Sequence, residues 1–407
     1  MIIPSIDIMD GKAVQLRQGK EKILEREDVL SLAEEFSKYG EIAVIDIDAA
    51  LDKGNNIELI KKICKIASCR AGGGIRTTER ANELLAGGAK KIIIGTKANP
   101  EFLKKLPKER VIVAIDAKED KIVDRGWTNK TAKTPQEAIK ELEDYCSEFL
   151  FTNVDKEGLM QGFDFEKLKQ LLGLTTNKLT VAGGITTKEE IKQLEELNVN
   201  SQLGMALYTG KIKLDDAFIS LLDFDKNKGL IPTITQDEKG QVLMMAFSSK
   251  ESLKKTFKNG KAVYYSRSRK RLWTKGETSG NFQKIITIKY DCDRDTLLFT
   301  VKQKNVACHL GRYSCFGDKE FSLEELYKII EDRMDNPKAD SYTSKIAVNE
   351  GLIKEKIMEE SDEVINYKDR DNLIWEIADL TYFVMVLMAK NNISLADVKN
   401  ELWRRRK

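Results

Sequence analysis

The 407-residue sequence predicts a multidomain chain: a (β/α)8 barrel over residues 1–222, a small α+β metal-binding domain over 224–318, and an all-α domain over 320–407. Three observations predict it. Landmarks in the first half recur at a constant offset, cysteines and aspartates crowd into one middle segment, and the last stretch is helical in period almost throughout. At roughly 150 residues per compact unit, length alone suggests two or three domains.

In the first region, Ile/Val-rich runs at 42–47, 92–95, 111–115, 149–152 and 179–182 alternate with amphipathic helical patterns, the signature of parallel βαβ units. Pro4-Ser-Ile-Asp7-Ile-Met recurs as Val113-Ala-Ile-Asp116-Ala-Lys, 109 residues on. Ala71-Gly-Gly-Gly-Ile75 recurs as Ala182-Gly-Gly-Ile185, and Gly95 before Thr96 recurs as Gly204 before Met205. A period near 110 is too long for a solenoid, whereas two four-strand copies make an eight-stranded barrel of about 200–250 residues.

Chemistry in such barrels collects at the carboxyl ends of the strands. Asp7 and Asp116 end the first and fifth strands, opposite each other across the mouth, where two carboxylates can divide acid and base work. Backbone N–H groups at Gly73, Gly74, Gly95, Thr96, Gly183, Gly184 and Gly204 suit phosphate. Because the repeat duplicates this equipment, the expected substrate carries a phosphate at each end.

A polar stretch at 223–229 leads into mixed β structure with one helix near 250–257 and alternating runs at 285–290 and 297–301. Asp291, Cys292, Asp293, Arg294 and Asp295 alternate strictly, so on a strand the three aspartates would share one face and suit Mg²⁺. Cys292, Cys308 and Cys315 offer three thiolates, the set for zinc with a position open to water, and such bound water ionises near neutral pH. His309, the one histidine, is either a fourth ligand or a proton shuttle. Neighbours in sequence rarely ligate one ion, which favours the shuttle.

From Ser322 the chain reads as helices, with Ser322 and Glu325 spaced as a capping box and Pro337 and Gly351 as breakers. Glu359, Glu360 and Glu363 share one helical face, and Glu376 with Asp379 repeats the arrangement on the next helix. Both faces adjoin Ile/Val/Leu positions. Carboxylates so gathered would repel one another without Mg²⁺.

Composition excludes several classes. With 68 basic and 65 acidic residues the net charge is only +3, which leaves no electrostatic footprint for nucleic acid. The basic end Arg404, Arg405, Arg406, Lys407 reads as a solvated helix terminus. The chain opens on a strand-like run without a basic leader, and the longest apolar stretch, 380–389, is about half a membrane span. Six cysteines are too few for a disulfide scaffold, so a cytoplasmic, reducing setting is expected.

Ile-Pro-Ser-Ile-Asp7-Ile-Met-Asp-Gly-Lys, Val-Ile-Asp46-Ile-Asp48, Gly-Gly-Gly-Ile-Arg76 and Arg-Gly-Trp127 resemble the histidine-pathway isomerase that rearranges ProFAR, over residues 1–222. The resemblance implies an Amadori rearrangement with Asp7 as base, Asp116 as the ring-opening acid and Thr152 assisting. Gln15, Leu159 and Met205 depart from the pattern, with Arg17 two positions beyond Gln15. The same chemistry would serve phosphoribosylanthranilate, which stands as an alternative substrate.

Tyr-Tyr-Ser-Arg-Ser-Arg269, Leu-Trp-Thr-Lys-Gly-Glu-Thr-Ser-Gly-Asn281, Asp-Cys-Asp-Arg-Asp295 and Ala-Cys-His-Leu-Gly-Arg-Tyr-Ser-Cys-Phe316 resemble phosphoribosyl-AMP cyclohydrolase. That likeness implies hydrolytic opening of a purine ring, zinc on Cys292, Cys308 and Cys315, magnesium on Asp291, Asp293 and Asp295, and a dimer sharing its site. Ser-Tyr-Thr-Ser-Lys345 and Glu376-Ile-Ala-Asp-Leu-Thr-Tyr-Phe383 are similar to phosphoribosyl-ATP pyrophosphohydrolase, of the all-helical nucleotide pyrophosphatase superfamily, with Phe383 where that family carries His. The three resemblances imply consecutive steps of histidine biosynthesis acting on small phosphoribosyl substrates, with Zn²⁺ and Mg²⁺ as cofactors and a homodimer through the second and third regions. The rival is that one domain, marked by Gln15, Met205 or Phe383, is a degenerate scaffold.

Overall fold

The structure, a computed structural model, describes residues 1–405 except 18, 20, 125, 128, 160 and 161. Arg125 of the Arg-Gly-Trp127 motif, Arg406 and Lys407 therefore lie outside the described residues, as does the side chain of Arg404. The chain forms two compact units, Met1–Asp318 and Lys319–Lys407.

Eight parallel strands close the barrel: Ile2–Met9, Ile42–Asp46, Cys69–Gly72, Lys91–Ile94, Val111–Lys118, Glu148–Asn153, Lys178–Ala182 and Asn200–Leu203. Each pairs with the next, and Ile2 opposite Ser201 seals the ring. The runs are β-branched because both faces of a parallel strand are buried. The repeat extends into the helix caps: Thr77 and Thr187, each just past a glycine turn, accept from the N–H groups of Arg80 and Glu190 at 3.2 Å.

The amino-terminal end of the barrel interior is polar. Arg70 bonds the carboxylate of Glu148 and, at 3.1 Å, the hydroxyl of Thr180, while its Nε reaches Glu41 at 2.8 Å. Glu148 is fully buried, and Lys91 adds a 3.0 Å contact. Burial acts against ionisation of Glu148, yet Arg70 and Lys91 outweigh it and hold the carboxyl below its ordinary range.

The smaller β domain packs onto this barrel within the same unit. Its four strands run in the order Val242–Ser248, Ile231–Gln236, Leu297–Gln303, Gln283–Tyr290, beside the helix Lys250–Asn259. Tyr39 of the barrel stacks on Phe257 at 4.3 Å, and Phe218 meets Phe257 and Tyr290 edge-on or tilted at 5.4 Å. The change of pattern at Asp223 is thus a change of topology inside one compact unit.

One local expectation fails here. Residues 291–295 are not a strand but the turn that joins Gln283–Tyr290 to Leu297–Gln303, with Arg294 left-handed at φ 65°. The Asp291 side chain accepts from the N–H groups of Asp295 and Thr296 at 3.0 and 3.1 Å, a local bond that a pleated strand cannot offer.

The second unit is helical: Leu323–Asp335, Tyr342–Ile346, Glu350–Ile365, Arg370–Lys390 and Leu395–Arg405. Ser322 caps the first of these through Glu325 N–H at 3.3 Å, whereas the Glu325 side chain pairs with Lys319, so the expected reciprocal box is replaced by a cap plus an ion pair. The core gathers Tyr327, Ile330, Ile346, Ile353 and Phe383. The apolar stretch 380–389 is part of a longer helix, Arg370–Lys390, which is long and apolar enough by length and composition alone to cross a membrane. That helix carries Glu376 and Asp379 and packs Phe383, Met385, Val386 and Met388 into the core of its unit. Arg405 at the basic end is exposed and pairs with Glu401 at 2.7 Å.

Candidate active sites

A cavity of about 420 Å³ opens at the carboxyl ends of the barrel strands and contains Asp7, Asp116, Thr152 and Glu157. Asp7 accepts from Ser5 Oγ at 2.9 Å, but burial dominates and pushes its carboxyl up to about 6. Asp116 is likewise raised by burial, opposed by hydrogen bonds from Trp127 and Thr152. Trp127 Nε1 donates to Asp116 Oδ2 at 2.8 Å, and Thr152 stands beside Asp116 because the fifth and sixth strands pair in that register. The Trp127 backbone is left-handed at φ 65°, a costly conformation for a large residue that carries the indole to Asp116.

Glu157 was not singled out from sequence, where it is one charged residue in the loop after the sixth strand. Burial, with Asp7 and Asp116 as like charges nearby, pushes its carboxyl up to about 8. All three carboxyls of the cavity are thus raised by burial, and Glu157 is held above Asp7. Its position at the carboxyl face, five residues past Thr152, was the available signal.

Gly73, Gly74, Gly95 and Thr96 line the cavity after the third and fourth strands, and Gly183 and Gly204 after the seventh and eighth. Gly184 lines the adjoining niche with Gly204 and Met205. The two sets are the two halves of the repeat. Gly73 is required sterically: at φ +97° a β-carbon would fall 2.1 Å from the Asp46 carbonyl oxygen. Asp46 is itself buried and holds the adjoining loop through Ala49 and Asn56 N–H groups at 3.1 and 2.8 Å, a scaffold role. Gln15 is buried against Gly204, and Met205 is buried just after it. Gln202 Oε1, also in the cavity wall, is a buried acceptor without a partner among the described residues, the state expected of a group reserved for a ligand.

In the β domain, the turn brings oxygens of Asp291, Asp293 and Asp295 within 4.8 Å of one another. Lys226 places its ammonium among them, 2.7 Å from Asp293 and 3.2 Å from Asp295. The residues fit a hard cation, reached by a turn where a strand was expected. Cys308 and Cys315 lie together, and the Cys315 thiol is pushed up by burial and then by the Cys308 sulfur. Among the described residues Cys292 does not complete a group of three with them inside one chain. His309 is exposed beside Cys308. Lys275, buried, faces both thiols and donates to the Ala307 carbonyl at 2.5 Å, and burial lowers its ammonium.

In the helical unit Glu360, Glu363 and Glu376 bring oxygens within 4.8 Å. Glu360 is raised by burial and then by Asp379 and Glu363, and Glu363 by its hydrogen bond with Glu376. Such mutual opposition fits a site for a divalent cation. Glu359 sits apart on an ion pair with Lys356 at 2.6 Å. Phe383 is a core residue, edge-on to Tyr382 at 5.2 Å and Tyr342 at 6.2 Å.

Comparisons with known proteins fall on these sites in order. Residues 1–213 match the family described as histidine biosynthesis protein, 244–317 phosphoribosyl-AMP cyclohydrolase, and 323–406 phosphoribosyl-ATP pyrophosphohydrolase. A histidine biosynthesis bifunctional protein of Pyrococcus furiosus is 45% identical over 207 residues, 47% of this chain and 99% of that protein. A phosphoribosylated imidazole carboxamide isomerase of Methanocaldococcus jannaschii is 42% identical over 230 residues, 53% of this chain and 97% of that protein. The histidine biosynthesis trifunctional protein of Saccharomyces cerevisiae is 42% identical over 179 residues, 44% of this chain and 22% of that protein. The chain belongs to the histidine biosynthesis family and is a multifunctional enzyme that joins the ProFAR isomerase, the phosphoribosyl-AMP cyclohydrolase and the phosphoribosyl-ATP pyrophosphohydrolase, three consecutive steps encoded in the reverse of their reaction order.

Proposed function

We propose that these steps are carried by the side chains gathered above, and that the observation supporting the barrel assignment best is the separation of Asp7 and Glu157 in one cavity with phosphate turns at both ends. Asp7, ionised at neutral pH, takes the sugar proton. Asp116, fixed by Trp127 and Thr152, donates to the ring oxygen as the sugar opens, and Glu157, buried beside Asp7 and Asp116, is a further acid within the same cavity. Two phosphate-binding halves grip the two ends of the substrate and hold the reacting carbon between the acids.

In the β domain Asp291, Asp293 and Asp295 would hold Mg²⁺. Cys308 and Cys315 would hold zinc together with Cys292 of a second copy, since one chain does not assemble all three thiols. Zinc bound there would supply an ionised water for ring opening. The protein's own part is to keep Lys275 beside the two thiols as a buried counter-charge and His309 within reach of solvent as a proton shuttle. In the helical unit Glu360, Glu363, Glu376 and Asp379, with Glu359 at the edge, would hold the Mg²⁺ that accompanies a triphosphate.

A homodimer through the β domain and the helical unit follows from the same reading. Its further support is the apolar surface of the two long helices, with Met358 65%, Ile365 75%, Ile374 53% and Trp375 69% exposed. A cytoplasmic setting suits six free cysteines and phosphorylated substrates. Feeding phosphoribosyl-ATP with Mg²⁺ and Zn²⁺ should yield the aminoketose, and Asp7→Asn should stall at ProFAR. Mass spectrometry showing phosphoribosyl-ATP untouched would overturn the assignment of the helical unit, and Glu157→Gln turning over ProFAR at the wild-type rate would overturn that of Glu157.

A further inference from the structure

A second cavity, about 1600 Å³, lies between the barrel and the β domain, where helix Val29–Ser37 and the segment entering helix Leu214–Leu221 face helix Lys250–Asn259 and the sheet. Its walls carry nine lysines against four carboxylates, in a chain whose basic and acidic residues nearly cancel. Lys254 pairs with Asp216 and Lys255 with Glu251, but among the described residues Lys38, Lys213, Lys258, Lys284, Lys302 and Lys304 make no ion pair. Clustered ammonium groups without counter-ions repel one another. The arrangement is costly unless an anion uses it.

The groove's walls are joined along the chain to two sites already described. On the β-domain wall Lys302 and Lys304 stand at the close of the strand that leads into the Cys308 loop, and Gln303 between them donates through Nε2 to the Val306 carbonyl at 3.2 Å. On the barrel wall Leu207, Gly210 and Lys213 belong to the segment that follows the Gly204 turn of the isomerase cavity. Tyr208 in that segment donates to the Ser5 carbonyl at 3.2 Å, two residues from Asp7.

We propose that this lysine-lined groove binds the bis-phosphorylated intermediate released by ring opening and guides it to the barrel mouth. The inference rests on the reading that the two domains act in sequence. With a phosphate at each end the intermediate carries a charge of roughly −3 to −4, the opposite of the groove. A cleft of one sign concentrates such an anion at its surface. The effect fades with salt, since charges are screened over about 8 Å at physiological ionic strength. Transfer along this wall keeps the anion near the protein without enclosing it in a tunnel.

The test uses the intact protein, isotopically labelled phosphoribosyl-AMP and an excess of unlabelled ProFAR, with early aminoketose read by mass spectrometry. Retained transfer gives product enriched in label at least about threefold over the bulk ProFAR pool. The enrichment should vanish at 0.5 M KCl and in the triple variant Lys258→Glu, Lys284→Glu, Lys302→Glu, and weaken in the corresponding triple alanine variant, which guards against misfolding of the first. Label equal to that of the bulk pool in the wild type, or enrichment indifferent to salt and to both variants, would overturn the groove proposal while leaving the two activities standing. Absence of turnover when each step is assayed alone would overturn the sequential reading, and the groove proposal with it.

Discussion

The carboxylate of Glu157 rests against Gly183: a β-carbon on that glycine would come within 2.8 Å of Glu157 Oε2, and within 2.7 Å of the Asn153 carbonyl oxygen. The phosphate turn and the proposed acid therefore share one close contact. Gly183→Ala should disturb both, because φ is +83° and the nearest atoms include fixed backbone. We expect isomerase kcat/KM to fall by at least about tenfold, with the other two activities of the intact protein kept, measured by separate assays of each step.

The pH profile of the isomerase should be bell-shaped. Asp7 must lose its proton and Glu157 must keep its own, so kcat/KM should rise through about 6 and fall through about 8. Asp7→Asn removes the base and with it the activity across the range. Glu157→Gln should cost on the order of 10²–10⁴-fold and abolish the alkaline limb in whatever rate remains.

Stability should carry the same signature with its own sign. The Glu157 carboxyl titrates near its ordinary 4.5 when unfolded and near 8 when folded. Between those values the folded state binds the extra proton, so stability declines as pH rises through that window and levels off above it. Glu157→Gln should flatten the decline, seen as a smaller loss of urea midpoint for the Met1–Asp318 unit between pH 5 and about 8.5.

Glu148→Gln tests the polar end of the barrel. The change leaves the buried Arg70 guanidinium with Glu41 as its remaining carboxylate. Removing one partner of a buried pair costs about 3–5 kcal/mol. The urea midpoint should fall accordingly, while isomerase KM and kcat at permissive temperature stay within about twofold, since the cluster lies at the end opposite the cavity.

Lys226→Met tests the aspartate turn. The ammonium stands where Asp293 and Asp295 would meet a divalent cation, so a metal must displace it. The variant should reach half-maximal cyclohydrolase activity at a few-fold lower Mg²⁺, and a chelator should inhibit both forms. An unchanged or higher Mg²⁺ requirement would show that Lys226 does not compete for the site.

Much of the function was legible because its chemistry is repeated or crowded in the chain. The offset between Asp7 and Asp116 already implies a two-fold barrel, and closure of the eight strands places those residues on the first and fifth. The acidic set Glu360, Glu363, Glu376 was also readable, because helical spacing of three and four determines which side chains share a face.

What alternation along a sequence could not decide is whether a strand forms at all. Asp291, Asp293 and Asp295 meet through a turn closed by side-chain to backbone bonds, and a strand would have spread them along its length. Glu157 carried only a weak signal, its place five residues past Thr152 at the carboxyl face, and nothing else in its neighbours on the chain marks it. Its role comes from burial beside Asp7 and Asp116, which reach the same cavity from strands far away in sequence. The lysine groove is of the same kind, drawn from barrel and β-domain segments whose charges average away in composition. The sequence by itself determined the folds and the repeat, because these depend on local period and spacing. Only the tertiary structure decided which carboxyls burial raises, where the lysines collect and which thiols lie together, because desolvation and Coulomb forces act between residues the chain keeps apart.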